Sequence, residues 1–206
     1  TTANAGADQD YCDLTTATLA GNDPTVGTGT WSVVSGPGGI FGDASVYNTS
    51  FDGDPGETYI LQWTITNGVC GTSSDQVTIR FDESPVASAA GPDQTVCGTS
   101  VTLAGNAAAP GTGLWTVVSG AGGSFVNATS PTTTFNGAAN TTYELRWTTS
   151  SELGVCASSS DEVFITLQGP PTTANAGADQ DYCDLTTATL AGNDPTVGTG
   201  TWSVVS

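Results

Sequence analysis

Apolar and polar residues alternate along Thr58–Thr66, with Tyr59, Leu61, Trp63 and Ile65 on one side of the chain. A period of two is the pattern of a half-buried strand. Gln76–Asp82 repeats it with Val77, Ile79 and Phe81, and Asn67-Gly68 supplies a turn between the two. Thr2–Tyr11 reads as a first strand kinked at Gly6. Ala17–Ala20 reads as a second, ended by a Gly-Asn-Asp-Pro turn. Thr30–Ser35 is a third, and short pieces near Ile40–Phe41 and Tyr47–Phe51 follow Gly-Pro-Gly-Gly. No stretch carries helical periodicity. Short strands with turns between them predict a β-sandwich. Its predicted core is Leu19, Trp31, Val33, Phe51, Leu61, Trp63, Ile65, Val77 and Ile79, with equivalents further along the chain. That is a modest core for a unit of about 85 residues, so cross-links matter.

The pattern recurs. Thr172–Ser206 is identical to Thr1–Ser35 at all 35 positions, an offset of 171. Long identity at a fixed offset is the signature of a repeat array. A weaker repeat lies inside that period. Cys12 and Cys97 follow AGADQDY and AGPDQTV. Leu19-Ala20-Gly21-Asn22 matches Leu103-Ala104-Gly105-Asn106, and Trp31 and Trp115 each precede a VVSG within two residues. Tyr59, Leu61 and Trp63 match Tyr143, Leu145 and Trp147. Gly-Val-Cys recurs at Cys70 and Cys156, and Ser73-Ser74-Asp75 at Ser159-Ser160-Asp161. The expected units are 1–85, 86–171 and an incomplete third, 172–206, which reads as part of a longer repetitive polypeptide.

Composition narrows the function classes. Two basic residues, Arg80 and Arg146, face 20 acidic ones, for a net charge of −18. Nucleic acid and anionic membrane surfaces both need Lys and Arg, so neither is an expected partner. No stretch is long and apolar enough for membrane insertion. Histidine is absent, which removes Ser-His-Asp and Cys-His catalysis. The absence of lysine removes Lys–Asn isopeptide cross-links. The paired carboxylates of Asp52-Gly53-Asp54 sit in a Gly/Pro loop with no apolar pocket to raise a pKa. An enzyme is therefore not expected.

The run ANAGADQ…C…TLAGN…GTGTW…VSG…YxLxWT…NGVC…SSDQVTI resembles the PKD/Ig-like repeats of giant surface proteins. Such repeats are common in secreted proteins of Bacteroidota, including gliding-motility adhesins of the SprB type. The resemblance covers every unit. It implies an all-β chain of tandem immunoglobulin-like (PKD-like) β-sandwich domains arranged head to tail, export to the bacterial cell surface, and a stalk or fibre role. It implies no ligand. This chain departs from the commonest PKD pattern by carrying two cysteines per unit.

Cysteines recurring in register in an exported chain favour disulfides. One pairing lies within units, Cys12–Cys70 and Cys97–Cys156. In a sandwich, however, Cys12 lies where the first two strands turn, and Cys70 follows the sixth strand at the opposite pole. Rises of roughly 3.3 Å per residue place them on the order of 40 Å apart, against a disulfide tolerance of about 7 Å between Cα atoms. Head-to-tail stacking favours Cys12–Cys156 between units instead. Cys97 and Cys183 then await partners further along the chain, and Cys70 one upstream.

More than half of the acids precede residue 86. Asp13, Asp52, Asp54, Glu57, Asp82 and Glu83 are expected to gather at the junction of the first two units. Hard oxygen ligands in a loop suit Ca²⁺; a solvated acidic face is the competing reading. The next junction offers Gly98, Asn136 and Asn140. The favoured role is a structural spacer whose partners are neighbouring repeats and other copies in a fibre. A carbohydrate- or protein-binding module is the alternative, but Asn22–Gly29 and Gly36–Gly39 hold no aromatic residues to grip a ligand. A strand-exchanged polymer subunit is a third possibility.

Overall fold

β-Branched and aromatic residues at every second position build the sheets of a computed structural model, which describes residues 1–205. The first seven strands are β1 (Gln9–Cys12), β2 (Thr16–Thr18), β3 (Thr28–Ser35), β4 (Ile40–Phe41), β5 (Ser50–Asp52), β6 (Glu57–Thr66) and β7 (Thr72–Asp82). A four-stranded sheet β1-β7-β6-β3 faces a three-stranded sheet β2-β5-β4. All pairings are antiparallel except the edge strand β1, which runs parallel to β7. The next seven repeat this plan: β8 (Gln94–Cys97), β9 (Ser100–Thr102), β10 (Thr112–Ser119), β11 (Ser124–Phe125), β12 (Thr134–Asn136), β13 (Thr141–Ser150) and β14 (Ser159–Gln168). They form the sheets β10-β13-β14-β8 and β11-β12-β9. The fold is all-β, with tandem immunoglobulin-like sandwiches. No helix among the described residues is long and apolar enough to cross a membrane.

Each sandwich has its own core. The first holds Leu19, Trp31, Phe51, Leu61, Trp63, Ile65, Val77 and Ile79, as the alternation predicts, together with Ala3, Ala5, Ala17, Tyr59 and Phe81. Val33 departs from expectation and is only half-buried, because β3 bulges between Val33 and Ser35. Trp31 and Trp63 are direct cross-strand partners, with ring centroids 5.1 Å apart. Trp115 and Trp147 repeat the pair at 5.1 Å. Such pairs contribute beyond their buried area. Buried polar ends are satisfied: the indole of Trp63 donates to the Asn22 carbonyl (3.2 Å) and the Tyr59 hydroxyl to the Pro37 carbonyl (3.0 Å).

The first predicted strand is shorter than Thr2–Tyr11. Residues 2–8 exchange bonds with β7 through side chains instead of a backbone ladder. Ala3 N–H donates to Ser73 Oγ (3.0 Å), Ala5 N–H to Asp75 Oδ2 (2.8 Å), and Thr78 N–H to Asp8 Oδ1 (2.8 Å). Ser88, Ala90 and Phe164 make the same bonds with Ser159, Asp161 and Asp93. The recurring DQ and SSD motifs are thus structural. Both arginines also serve the sheets, in cross-strand pairs Arg80–Asp10 and Arg146–Glu162. Both pairs are half exposed and contribute little to stability.

Residues 172–205 keep the local turns of residues 1–34. Asn175 N–H donates to Asn193 Oδ1 (2.7 Å), as Asn4 does to Asn22 (2.8 Å). They form no strand, and Leu190 and Trp202 are exposed where their counterparts Leu19 and Trp31 are buried.

Candidate joint between the two sandwiches

Cys12 ends β1 opposite Asp82, the last residue of β7. The parallel ladder therefore carries the Cys12 sulfur to the pole where the chain leaves the first sandwich. Cys70 lies beyond the other end of β7. The ten steps from Thr72 to Asp82 span about 33 Å at the usual strand rise, so Cys12–Cys70 cannot close. Cys97 stands opposite Gln168 at the end of β14 in the same way, which separates it from Cys156. The within-unit pairings Cys12–Cys70 and Cys97–Cys156 are therefore corrected. The bond that forms is Cys12–Cys156, with Cα atoms 5.1 Å apart and a sequence separation of 144. Cys70, Cys97 and Cys183 are free and exposed.

Asp82 stands beside this disulfide. Its side chain is buried, yet it belongs to the first sandwich and is bonded by the second. Oδ2 accepts from the Val155 N–H (2.8 Å) and the Cys156 N–H (3.2 Å), and Oδ1 from the Leu153 N–H (3.3 Å) and Glu83 N–H (3.0 Å). The Ser151 hydroxyl has two acceptors in reach, this carboxylate and the Cys156 carbonyl at 3.2 Å. Burial works to raise the Asp82 pKa. The bonds from Ser151, Val155, Cys156 and Leu153 outweigh it and hold the group at about 2. The carboxylate is thus ionised and enclosed by donors at neutral pH.

Asp13 supports the same pole. Its backbone is left-handed (φ 56°), and its amide donates to the Asp82 carbonyl at 2.9 Å. Its carboxylate accepts from the Ser84 hydroxyl (2.6 Å) and the Ser84 amide (2.8 Å), which together lower its pKa, the hydroxyl most. This fixes the linker where it leaves β7.

The six acids expected to bind Ca²⁺ share this end of the sandwich without converging. Asp52 pairs with Thr16 and accepts from its hydroxyl. The Asp54 amide is held by the Tyr59 hydroxyl (2.8 Å), and Glu57 lies opposite Phe81 in the ladder. Glu83 is adjacent to the Asp82 carboxylate only through its amide. Among the described residues, the one compact group of possible ligands is Cys12, Asp13 and Cys156. Its two sulfurs are joined to each other, and a metal ligand must be a thiolate. What the sequence reading missed is the role of Asp82 as an acceptor for backbone amides. The signal available was the Ser-Glu-Leu-Gly-Val-Cys loop, longer than Asn-Gly-Val-Cys.

No family model matches the chain, and no curated protein does. Solved structures similar to it are tandem or single modules of related classes. A three-immunoglobulin-domain fragment of titin is 15% identical over 82% of this chain and 65% of that one, with a TM-score of 0.43. A PKD domain solved in solution is 27% identical over 42% of this chain and 91% of that one, with a TM-score of 0.33. Fibronectin(III)-like modules of Clostridium thermocellum CbhA are 12% identical over 81% and 94%, with a TM-score of 0.38. The chain spans 65% of the titin fragment's length. These likenesses concern the fold alone and carry nothing about function.

Proposed function

We propose that this chain is a run of spacer modules, with units at 1–85 and 86–171 and the start of a third at 172–206, from a stiff extracellular stalk or fibre. The observation that carries the reading is the joint. The exit pole of one sandwich is tied to the far loop of the next by a disulfide and by a buried carboxylate. Such a joint transmits tension and resists bending. The disulfide supports an oxidising compartment. The resemblance to PKD/Ig-like surface repeats supports reading the stalk as part of a bacterial cell-surface adhesin of the gliding-motility kind.

The same reading assigns the free cysteines. Cys97 occupies the position at the second pole that Cys12 occupies at the first, and Cys70 the loop position of Cys156. Cys97 and Cys183 pair with later repeats and Cys70 with an earlier one. Strands with the sequence of residues 36–82, whichever chain carries them, complete the core begun by residues 172–205. Two units of about 35–45 Å each, from strand lengths plus turns, give an axial repeat of about 70–90 Å per 171-residue period. Small-angle scattering of the oxidised chain and cryo-microscopy of native material test this. A rod with that repeat is expected; a folded-back particle, or native material without the axial repeat, refutes it.

A further inference from the structure

The two poles are alike in backbone and differ in side chains: Asp13, Asp82 and Glu83 at the first stand where Gly98, Gln168 and Gly169 stand at the second. Each ends a parallel ladder with a cysteine, and the next residue donates back to the facing strand. Asp13 N–H donates to the Asp82 carbonyl at 2.9 Å, and Gly98 N–H to the Gln168 carbonyl at 2.8 Å. Only the first pole presents a carboxylate. The two Gly-Val-Cys loops differ in a matching way. The short loop, residues 67–71, satisfies two of its amides internally, that of Cys70 among them. Cys70 N–H donates to the Asn67 carbonyl (2.9 Å) and Asn67 N–H to the Gly71 carbonyl (3.1 Å), closing a single 3-10 turn at Gly68–Cys70. The longer loop, residues 151–158, turns the amides of Leu153, Val155 and Cys156 outward, and Asp82 is their acceptor.

We propose that Asp82 is the specificity residue of the joint, selecting the long loop over the short one before the disulfide closes. Buried donors without an acceptor are costly, whereas amides already paired within a turn gain little from a carboxylate. A pole with Asp82 therefore suits the long loop. A carboxylate buried against the short loop would find the Cys70 amide already taken. A pole with Gln168 places no buried charge and suits the short loop. The code has the same two-unit period as the 171-residue offset of the sequence identity. It rests on the head-to-tail order proposed above.

The test is the equilibrium for closing Cys12–Cys156 against glutathione, in a background with Cys70, Cys97 and Cys183 replaced by serine. Two thiols give two electrons and two protons to one glutathione disulfide, which leaves as two glutathione thiols. Asp82→Gln, which copies the other pole, is expected to lower the closure constant by a factor on the order of 10–100. Gln168→Asp and the neighbouring charge control Glu83→Gln are expected to leave it unchanged. Closure constants for Asp82→Gln and the parent that agree within error overturn the proposal, as does an equal loss in Glu83→Gln. Amide exchange of the reduced, alkylated parent gives a readout that does not depend on the variant's folding. Val155 and Cys156 are expected to stay protected, and free exchange there overturns the proposal. A bent particle in scattering with these results intact would refute the stalk reading alone.

Discussion

Replacing Asp82 by asparagine isolates the charge from the shape of the joint. The pKa of the native carboxyl is about 2 against an ordinary value of 3.8. At 1.36 kcal/mol for each factor of ten in the proton equilibrium, the ionised form is favoured in the folded state by about 2.5 kcal/mol. The unfolded carboxyl takes up its proton near pH 3.8 and the folded one near pH 2. Between those values the unfolded chain binds more protons, so stability rises with pH through this window. The contribution is fully present above roughly pH 5. About half is gone at pH 3 and most of it at pH 2, as the folded group itself protonates.

The assay is urea unfolding of the oxidised chain and of Asp82→Asn, followed by fluorescence of the buried tryptophans at several pH values from 7 to 2. At pH 7 the variant should be less stable by about 2–4 kcal/mol, the scale for removing a charged acceptor from several buried amides. That gap should narrow by about 2 kcal/mol by pH 2. Other carboxylates titrate in both proteins and cancel in the difference. Curves that run parallel over the whole range would refute the reasoning, since they would mean that Asp82 is equally available to protons folded and unfolded.

Three further outcomes are expected. A Cβ at Gly29 would lie 2.0 Å from Trp63 Cζ2, and one at Gly113 would lie 2.2 Å from Trp147 Cζ2, so Gly29→Ala and Gly113→Ala should each cost about 2 kcal/mol or more, roughly 8–16 °C in melting temperature; melts equal to the parent's would contradict the packing of the tryptophan pairs. Reducing Cys12–Cys156 removes a constraint that the chain-entropy model values at about 5 kcal/mol for a closure of 144 residues, while each sandwich keeps its own core; scattering should show a wider spread of particle lengths with both folds intact, and an unchanged profile would show that the disulfide does not restrain the joint. Because Asp82 is already saturated by amides, chelator and millimolar Ca²⁺ should leave the melting curve unchanged; a rise with Ca²⁺ would restore a metal to this pole.

Alternation made the long strands legible. Tyr59, Leu61, Trp63 and Ile65 could only be buried together, and the structure buries all four. The ends of β1 were not legible, because residues 2–8 bond to Ser73 and Asp75 side chains and hydrophobic period says nothing about such bonds. The disulfide was legible from topology, since strand direction alone separates Cys12 from Cys70. The amide cluster around Asp82 was not. An acidic residue next to Glu83 at a strand end reads as solvated, and only the approach of the second sandwich buries it. Composition counts charges but cannot tell which of them a neighbour will enclose.

The two units share their cores and differ at their poles, and this division has a physical cause. A sandwich interior tolerates few changes because its aromatic partners are mutually enclosed: Trp115–Trp147 keeps the 5.1 Å spacing of Trp31–Trp63, and Gly113 makes room as Gly29 does. A pole meets one neighbour only, so its side chains can change provided the facing loop changes with them. Asp82 faces a long loop whose amides it accepts, and on the proposed code Gln168 takes a short loop whose Cys70 amide is already bonded. Had the poles been interchangeable, either loop could dock on either end, and a cysteine could be oxidised to the wrong neighbour. With a buried carboxylate at one pole and none at the other, the mismatched joint leaves either a charge without donors or amides without an acceptor. Each costs more than a correct joint of the other kind. The chain fixes the order of the modules; hydrogen bonding selects which pole and loop meet, and the disulfide locks that joint.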